Sequence, residues 1–109
     1  MKYLNENVAV SCGINEAIVA QFLWESFKKS DRSEMIYEYN DEKWIKCSML
    51  LMTGYMPFFT VNMLKKIIKN LVKENVIRKG RFNENHFDKT NWYSFTKYGK
   101  HLMGGDKSD

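Results

Sequence analysis

One proline and six glycines in 109 residues leave too few chain breakers for a turn-dense all-β fold and favour helices. Only two cysteines occur, Cys12 and Cys47, and they stand too far apart to form a zinc knuckle. The chain also opens without a charged-then-apolar leader, so free, buried thiols in a reducing cytoplasm are expected rather than a disulfide. The longest nearly apolar run, 49–59, is shorter than a bilayer span and is broken by Gly54 and Pro57. No membrane segment is expected. His86 and His101 have no cysteine or acid at metal-ligand spacing, and neither a glycine-rich phosphate loop nor a nucleophile motif occurs. Tyr93 and Tyr98 lack the metal and histidine cluster that a tyrosine nucleophile of the relaxase kind needs. These absences argue against an enzyme and against any metal or other cofactor.

What is present points to one folded domain. A hydrophobic content of 44% with 15% aromatics supplies a core, and the length suits a single one. We place the domain at 1–103 and expect 104–109, with nothing apolar to bury, to fray. Charge is unevenly spread. Through Ile45 there are five basic against eight acidic residues; after it there are twelve against five. The basic half is a directed footprint for a polyanion.

That half centres on 60–73. Thr60 is a plausible N-cap, and Val61, Leu64, Ile67, Ile68, Leu71 and Val72 recur at three- and four-residue steps, so they share one core-facing side of a helix. The other side carries Asn62, Met63, Lys65, Lys66, Lys69, Asn70 and Lys73, with no acid among them. For an isolated helix a solvated lysine face is the alternative. Its neighbours favour the recognition helix of a DNA-binding domain.

The residues before it set up that order. Val8, Val10 and Cys12 alternate weakly, as a short strand or a loose helical turn, and Gly13 ends the pattern. A helix is expected over 15–29, capped by Asn15, with Glu16 at its positive end and Lys28 and Lys29 at its negative end. Its apolar residues go nearly all the way round, so either central burial or a second copy covers the extra face; for a homodimer, Ile18, Phe22, Trp24 and Phe27 are the contact candidates. A polar link, 30–34, precedes two short aromatic and β-branched runs, 35–39 and 44–47, parted by Asn40, Asp41 and Glu42, which fits a hairpin. Ser48 can cap a second helix, 49–53, ended by Gly54, and a tight connection with Pro57 leads to Thr60. Helix, short turn and basic helix is the order of a helix-turn-helix. Beyond Glu74 and Asn75, strands over 76–82 and 92–95 enclose a polar segment and form a basic hairpin, or wing, carrying Arg78, Lys79, Arg81, His86 and Lys89. Thr96 caps a last helix, 97–103, with Tyr98, Leu102 and Met103 docking on the core.

The sequence resembles the winged helix-turn-helix domains of replication and replisome-organiser proteins from phages and plasmids of low-GC Gram-positive bacteria. GINEAIVAQFL (13–23) looks like that family's first helix, KWIKCS (43–48) and DKTNWYSF (88–95) like the strand before its second helix and its returning wing strand, and Pro57-Phe58 before Thr60 like the turn into its recognition helix. The resemblance implies an α+β winged helix-turn-helix with three core helices, a β-hairpin wing and a short C-terminal helix. It also implies a mobile-element protein. Because the chain lacks the helicase-loading or oligomerisation segment usual in that family, it looks more like an accessory factor at an origin of transfer or replication, partnered by double-stranded DNA and by a relaxase or replication protein. A small transcriptional regulator and a protein-interaction winged helix without DNA binding are the alternatives.

In such a frame Asn62 can pair with adenine, Lys65 or Lys66 can reach guanine acceptors and Met63 can meet a thymine methyl. Lys69 and Lys73 suit phosphates, as do Arg78, Lys79, Arg81 and Lys89 of the wing, with Asn83, Asn85 and His86 at its tip.

Overall fold

The computed structural model describes residues 5–28 and 30–104. Among these residues are five helices, α1 (Glu6–Cys12), α2 (Ile14–Ser26), α3 (Met49–Tyr55), α4 (Val61–Lys73) and α5 (Lys97–Leu102). A 3-10 segment (Ser30–Met35) and four strands, β1 (Ile36–Tyr39), β2 (Glu42–Lys46), β3 (Ile77–Gly80) and β4 (Trp92–Phe95), complete it. The strands form one antiparallel sheet in the order β1-β2-β4-β3. The fold class is α+β.

The N-terminal stretch that alternation left open is helical. Asn5 Oδ1 accepts the Val8 N–H at 3.1 Å and caps α1, whose Val8 is buried. Asn7 Nδ2 donates to the Leu102 carbonyl at 3.1 Å and ties α1 to α5. Gly13, at φ 122°, turns the corner into α2, a backbone angle that L side chains rarely adopt. Because the corner closes there, α2 starts at Ile14 and Asn15 lies inside its first turn, not at the cap as expected.

The far end of α2 also differs from expectation. It stops at Ser26; Lys28 follows the helix end, and Lys29 lies outside the described residues. Arg32 supplies the cation at this negative helix end instead. Its Nη1 donates to Ser26 Oγ at 3.1 Å and to the Phe22 carbonyl at 3.4 Å, and its guanidinium lies 4.7 Å from the Phe22 ring and 5.0 Å from the Tyr55 ring. The segment expected as a polar link is thus a 3-10 turn that returns Arg32 to α2. Ala17, Val19, Ala20, Phe22 and Leu23 are all buried within this one chain.

β1 and β2 meet through Asn40 (φ 54°) and Asp41 (φ 62°), a two-residue loop closed by the pairing of Tyr39 with Glu42. Two successive positive φ angles are the type I′ turn that matches strand twist, and Asn and Asp tolerate it best after glycine. β2 leads to Ser48, whose Oγ accepts the Leu51 N–H at 3.0 Å and caps α3. Gly54 does not end this helix, as expected, but sits within it. The stop is Pro57, which forces Met56 out of helical angles (φ −128°, ψ 72°).

Thr60 caps α4 through the Met63 N–H at 3.1 Å. Leu64, Ile67, Ile68 and Leu71 form its buried side. Val72, expected with them, is 37% exposed. At its end Asn75 adopts φ 65° while Val76 N–H donates to the Leu71 carbonyl (2.9 Å) and Asn75 N–H to that of Val72 (3.0 Å). This Schellman closure satisfies the last carbonyls and turns the chain directly into β3.

The inner face of the sheet (Ile45, Ile77, Tyr93, Phe95) joins the helices in one core with Leu23, Met52, Leu64 and Leu71. Its outer face carries a second aromatic layer. Phe82 folds back over Gly80 and contacts the rings of Tyr39 (centroids 4.1 Å apart), Trp44 (4.9 Å) and Trp92 (5.3 Å). Thr96 caps α5 by accepting the Gly99 N–H at 2.8 Å. Leu102 and Met103 dock as expected, whereas Tyr98 points outward. The expected frayed tail falls from 105 onward outside the described residues.

Candidate nucleic-acid interface

Capping by Thr60 and burial of the Leu64–Ile68–Leu71 side fix which face of α4 meets water. Thr60, Asn62, Met63, Lys65, Lys66, Lys69 and Lys73 are all exposed there. Among the described residues none of the four lysines is ion-paired, and the first turn of the helix has no acid. Lys65, Lys66 and Lys69 therefore present uncancelled charge along the helix, and Lys73, in its last turn, meets the negative end of the helix dipole. Asn70, read with this face, is drawn inward: its Nδ2 donates to Glu16 Oε2 (3.1 Å) and to the Cys12 carbonyl (3.4 Å), fastening α4 to the α1–α2 corner.

The β3–β4 hairpin divides its cations between two sides. Strand alternation puts Lys79 on the face of Ile77, which packs toward α4, and Arg78 on the reverse. Arg78 pairs with Glu42 and lies 5.1 Å from the Trp44 ring centroid. The hydrogen bond from Arg78, with one from Ser94 Oγ (3.0 Å), holds the Glu42 carboxyl below its usual range. Arg78, expected as a free cation of the hairpin, is thus committed to the outer face of the sheet. Arg81 remains exposed while its Nη2 donates to Asn91 Oδ1 at 3.0 Å. Lys79 and Lys89 are exposed and, like the α4 lysines, unpaired among the described residues.

Asn83 was expected at the tip as a contact residue. It is instead the internal tie of the loop. Its Nδ2 donates to the Asp88 and Thr90 carbonyls, both at 2.9 Å, and its Oδ1 accepts the Trp92 Nε1–H at 2.7 Å. That uses both amide hydrogens and the carbonyl oxygen. Asn85 accepts the Phe87 N–H at 2.9 Å through its side chain, and Lys46 Nζ donates to Asp88 Oδ2 at 2.8 Å. The Lys46 hydrogen bond first, then those from Thr90, hold the Asp88 carboxyl far below the usual carboxylate range. His86 and Phe87 are the exposed side chains between these ties. Phe87, 89% exposed, was missed in the sequence because a lone aromatic in a polar run follows no period.

The four residues of α2 and its C-cap proposed for a second copy separate in the same way. Phe22 is enclosed by Tyr55 and Arg32, while Ile18, Trp24 and Phe27 are half-buried, with Trp24 5.1 Å and Phe27 6.4 Å from the Phe95 ring. A concavity of about 480 Å³ lies beside Trp24 and Phe27, rimmed by Lys28, Lys43 and Lys100 against Glu38, Asp41 and Glu42. Its balanced charge does not select a polyanion. Among the described residues no group of three or more His, Cys, Asp or Glu side chains is placed to hold a metal ion, and no helix is long and apolar enough to cross a membrane.

Comparison with protein-family models, curated proteins and solved structures finds no match.

Proposed function

We propose that this is a winged helix-turn-helix protein that binds double-stranded DNA sequence-specifically in the cytoplasm, as an accessory factor at an origin of transfer or replication on a plasmid or phage. The observation that carries the reading is the uncompensated row Lys65, Lys66, Lys69 and Lys73 on the outer side of a capped helix whose buried residues are all apolar. The order α3, short turn, α4, then the β3–β4 hairpin supports the winged form, as does β4 lying between β2 and β3. The mobile-element role rests on the sequence resemblance.

In this reading α4 enters the major groove. Asn62, Met63, Lys65 and Lys66 face base edges, and Lys69 and Lys73 meet phosphates. Lys79, Arg81 and Lys89 extend the footprint along the hairpin, with Asn85 and His86 beside its tip, while Thr60 holds the first turn of α4. Ile18, Trp24 and Phe27 are the surface for a second copy, and a relaxase or replication protein is the further partner.

A salt titration with a plasmid-derived duplex tests the electrostatics. Five or six phosphate contacts give a slope of log K against log salt of about −5, and replacing Lys66 and Lys69 together by alanine makes it shallower. A slope near zero overturns the reading. Footprints clustered as repeats beside an origin support the accessory role, whereas a single promoter operator marks a transcriptional regulator.

One observation favours a second reading. Leu50 (74% exposed), Leu51, Tyr55 and Phe58 (62%) form an open apolar stretch on α3 and the turn after it, as expected of a winged helix that meets a protein. Failure to shift any plasmid-derived duplex, with co-purification of a protein, distinguishes it.

A further inference from the structure

The loop joining β3 to β4 uses its polar groups on its own shape and leaves one ring outside. Asn83 ties three points of the loop, Asn85 accepts the Phe87 N–H through its side chain, and the Asn85 carbonyl accepts the Asp88 N–H at 3.0 Å. Asp88 in turn accepts from Thr90 N–H (3.0 Å) and from Lys46. Phe87 stands between these ties with 89% of its surface exposed, the most of any large apolar side chain among the described residues. Nothing among the described residues shelters it. A fixed loop that presents a bare aromatic ring meets little entropic cost when that ring is placed against a partner.

The surroundings of the ring define the chemistry of that partner. His86 and Lys89 flank it along the loop and are exposed, as is Arg81 where the loop begins, and Asp88 is neutralised by Lys46, which leaves Glu84 as the uncompensated acid of the loop. An apolar plane on a loop that carries Arg81 and Lys89 suits a polyanion whose interior is itself stacked planes. Side chains of this type enter DNA between base steps and partly unstack them.

We propose that Phe87 is a wedge that inserts at a base step of the bound duplex, unwinding the DNA there. This rests on the DNA-binding reading above. It adds a deformation to it: flexible pyrimidine–purine steps are favoured at a position where no side chain reads a base edge.

The test is ligation of a nicked plasmid in the presence of the protein, followed by protein removal and separation of topoisomers, beside direct binding to the same plasmid. The wild-type chain lowers the linking number. Phe87→Ala, which touches no packed group, keeps the thermal midpoint of the wild type, binds about tenfold more weakly, the worth of one base stack, and at saturation leaves the linking number unchanged. Phe87→Trp restores unwinding. If Phe87→Ala unwinds as the wild type does, or if the wild type binds without altering the linking number, the wedge is overturned while DNA binding stands. If the wild type does not bind plasmid at all, the DNA-binding reading fails first and the wedge with it.

Discussion

Gly99 of α5 lies directly against the backbone carbonyl of Val76, with no room for a β-carbon between them. That carbonyl also accepts the Thr96 N–H at 3.1 Å, so it is held in place where α5 crosses the start of β3. Gly99→Ala should therefore cost about 1–3 kcal/mol, the usual range for overpacking a core. Gly54, within α3 and with nothing within 4 Å of a β-carbon, predicts the opposite sign. Gly54→Ala should stabilise by about 0.5–1 kcal/mol through helix propensity. Urea denaturation of the two variants checks both signs, and equal effects would contradict the packing described.

Thr60 is exposed, so its contribution to stability lies almost wholly in its hydroxyl, which accepts the Met63 N–H. Thr60→Ala should cost about 1 kcal/mol, and Thr60→Ser should recover most of it. A cap lost at this end also loosens the first turn of α4. Amide exchange at Met63 should accelerate in the alanine variant and not in the serine one.

The two thiols should differ sharply in reactivity. Burial pushes the Cys47 pKa up to about 12. Cys12 is half-exposed, and burial, then the carboxylates of Glu74 and Glu16, raise its pKa as well. At mildly alkaline pH iodoacetamide should label Cys12 slowly and Cys47 only on unfolding, since the thiolate is the reactive form. Mass spectrometry of the labelled peptides reads this directly. Rapid labelling of native Cys47 would show that β2 and α3 part readily.

The Asp88 carboxyl is held far below its ordinary value of 3.8, first by the hydrogen bond from Lys46 and then by those from Thr90. A depressed folded-state pKa gives a contribution that is complete above the unfolded value and is lost as pH falls toward the folded one. The loop should thus keep its order through mild acid and open only in strong acid. The indole N–H resonance of Trp92, which donates to Asn83, reports the opening in an NMR titration. Asp88→Asn should remove this acid dependence and shift the same resonance at neutral pH.

Much of the fold was legible locally. Ser48, Thr60 and Thr96 cap the helices that follow them because a hydroxyl reaches an N–H only three residues ahead. The inner side of α4 followed from a 3.6-residue period, with only Val72 at the margin facing out. Asn40 and Asp41 announced the hairpin because few other side chains accept positive φ. Gly54 misled, since one glycine costs a helix only about 1 kcal/mol, less than neighbouring residues can supply.

What lay beyond the sequence was every pairing across it. Arg78 meets Glu42, Arg32 returns to Phe22, Asn83 binds Trp92, and Asn70 joins the α1–α2 corner, and in each case the side chain gains its partner only after the chain has folded. Propensity, periodicity and capping act over a single helical turn, so the sequence by itself determined the four helices from α2 onward, the first hairpin and the charge of α4, and left α1 open. Which cations stay unpaired, which face of the sheet Arg78 joins and why Phe87 stands bare depend on distances between residues far apart along the backbone, and those the tertiary structure alone decided.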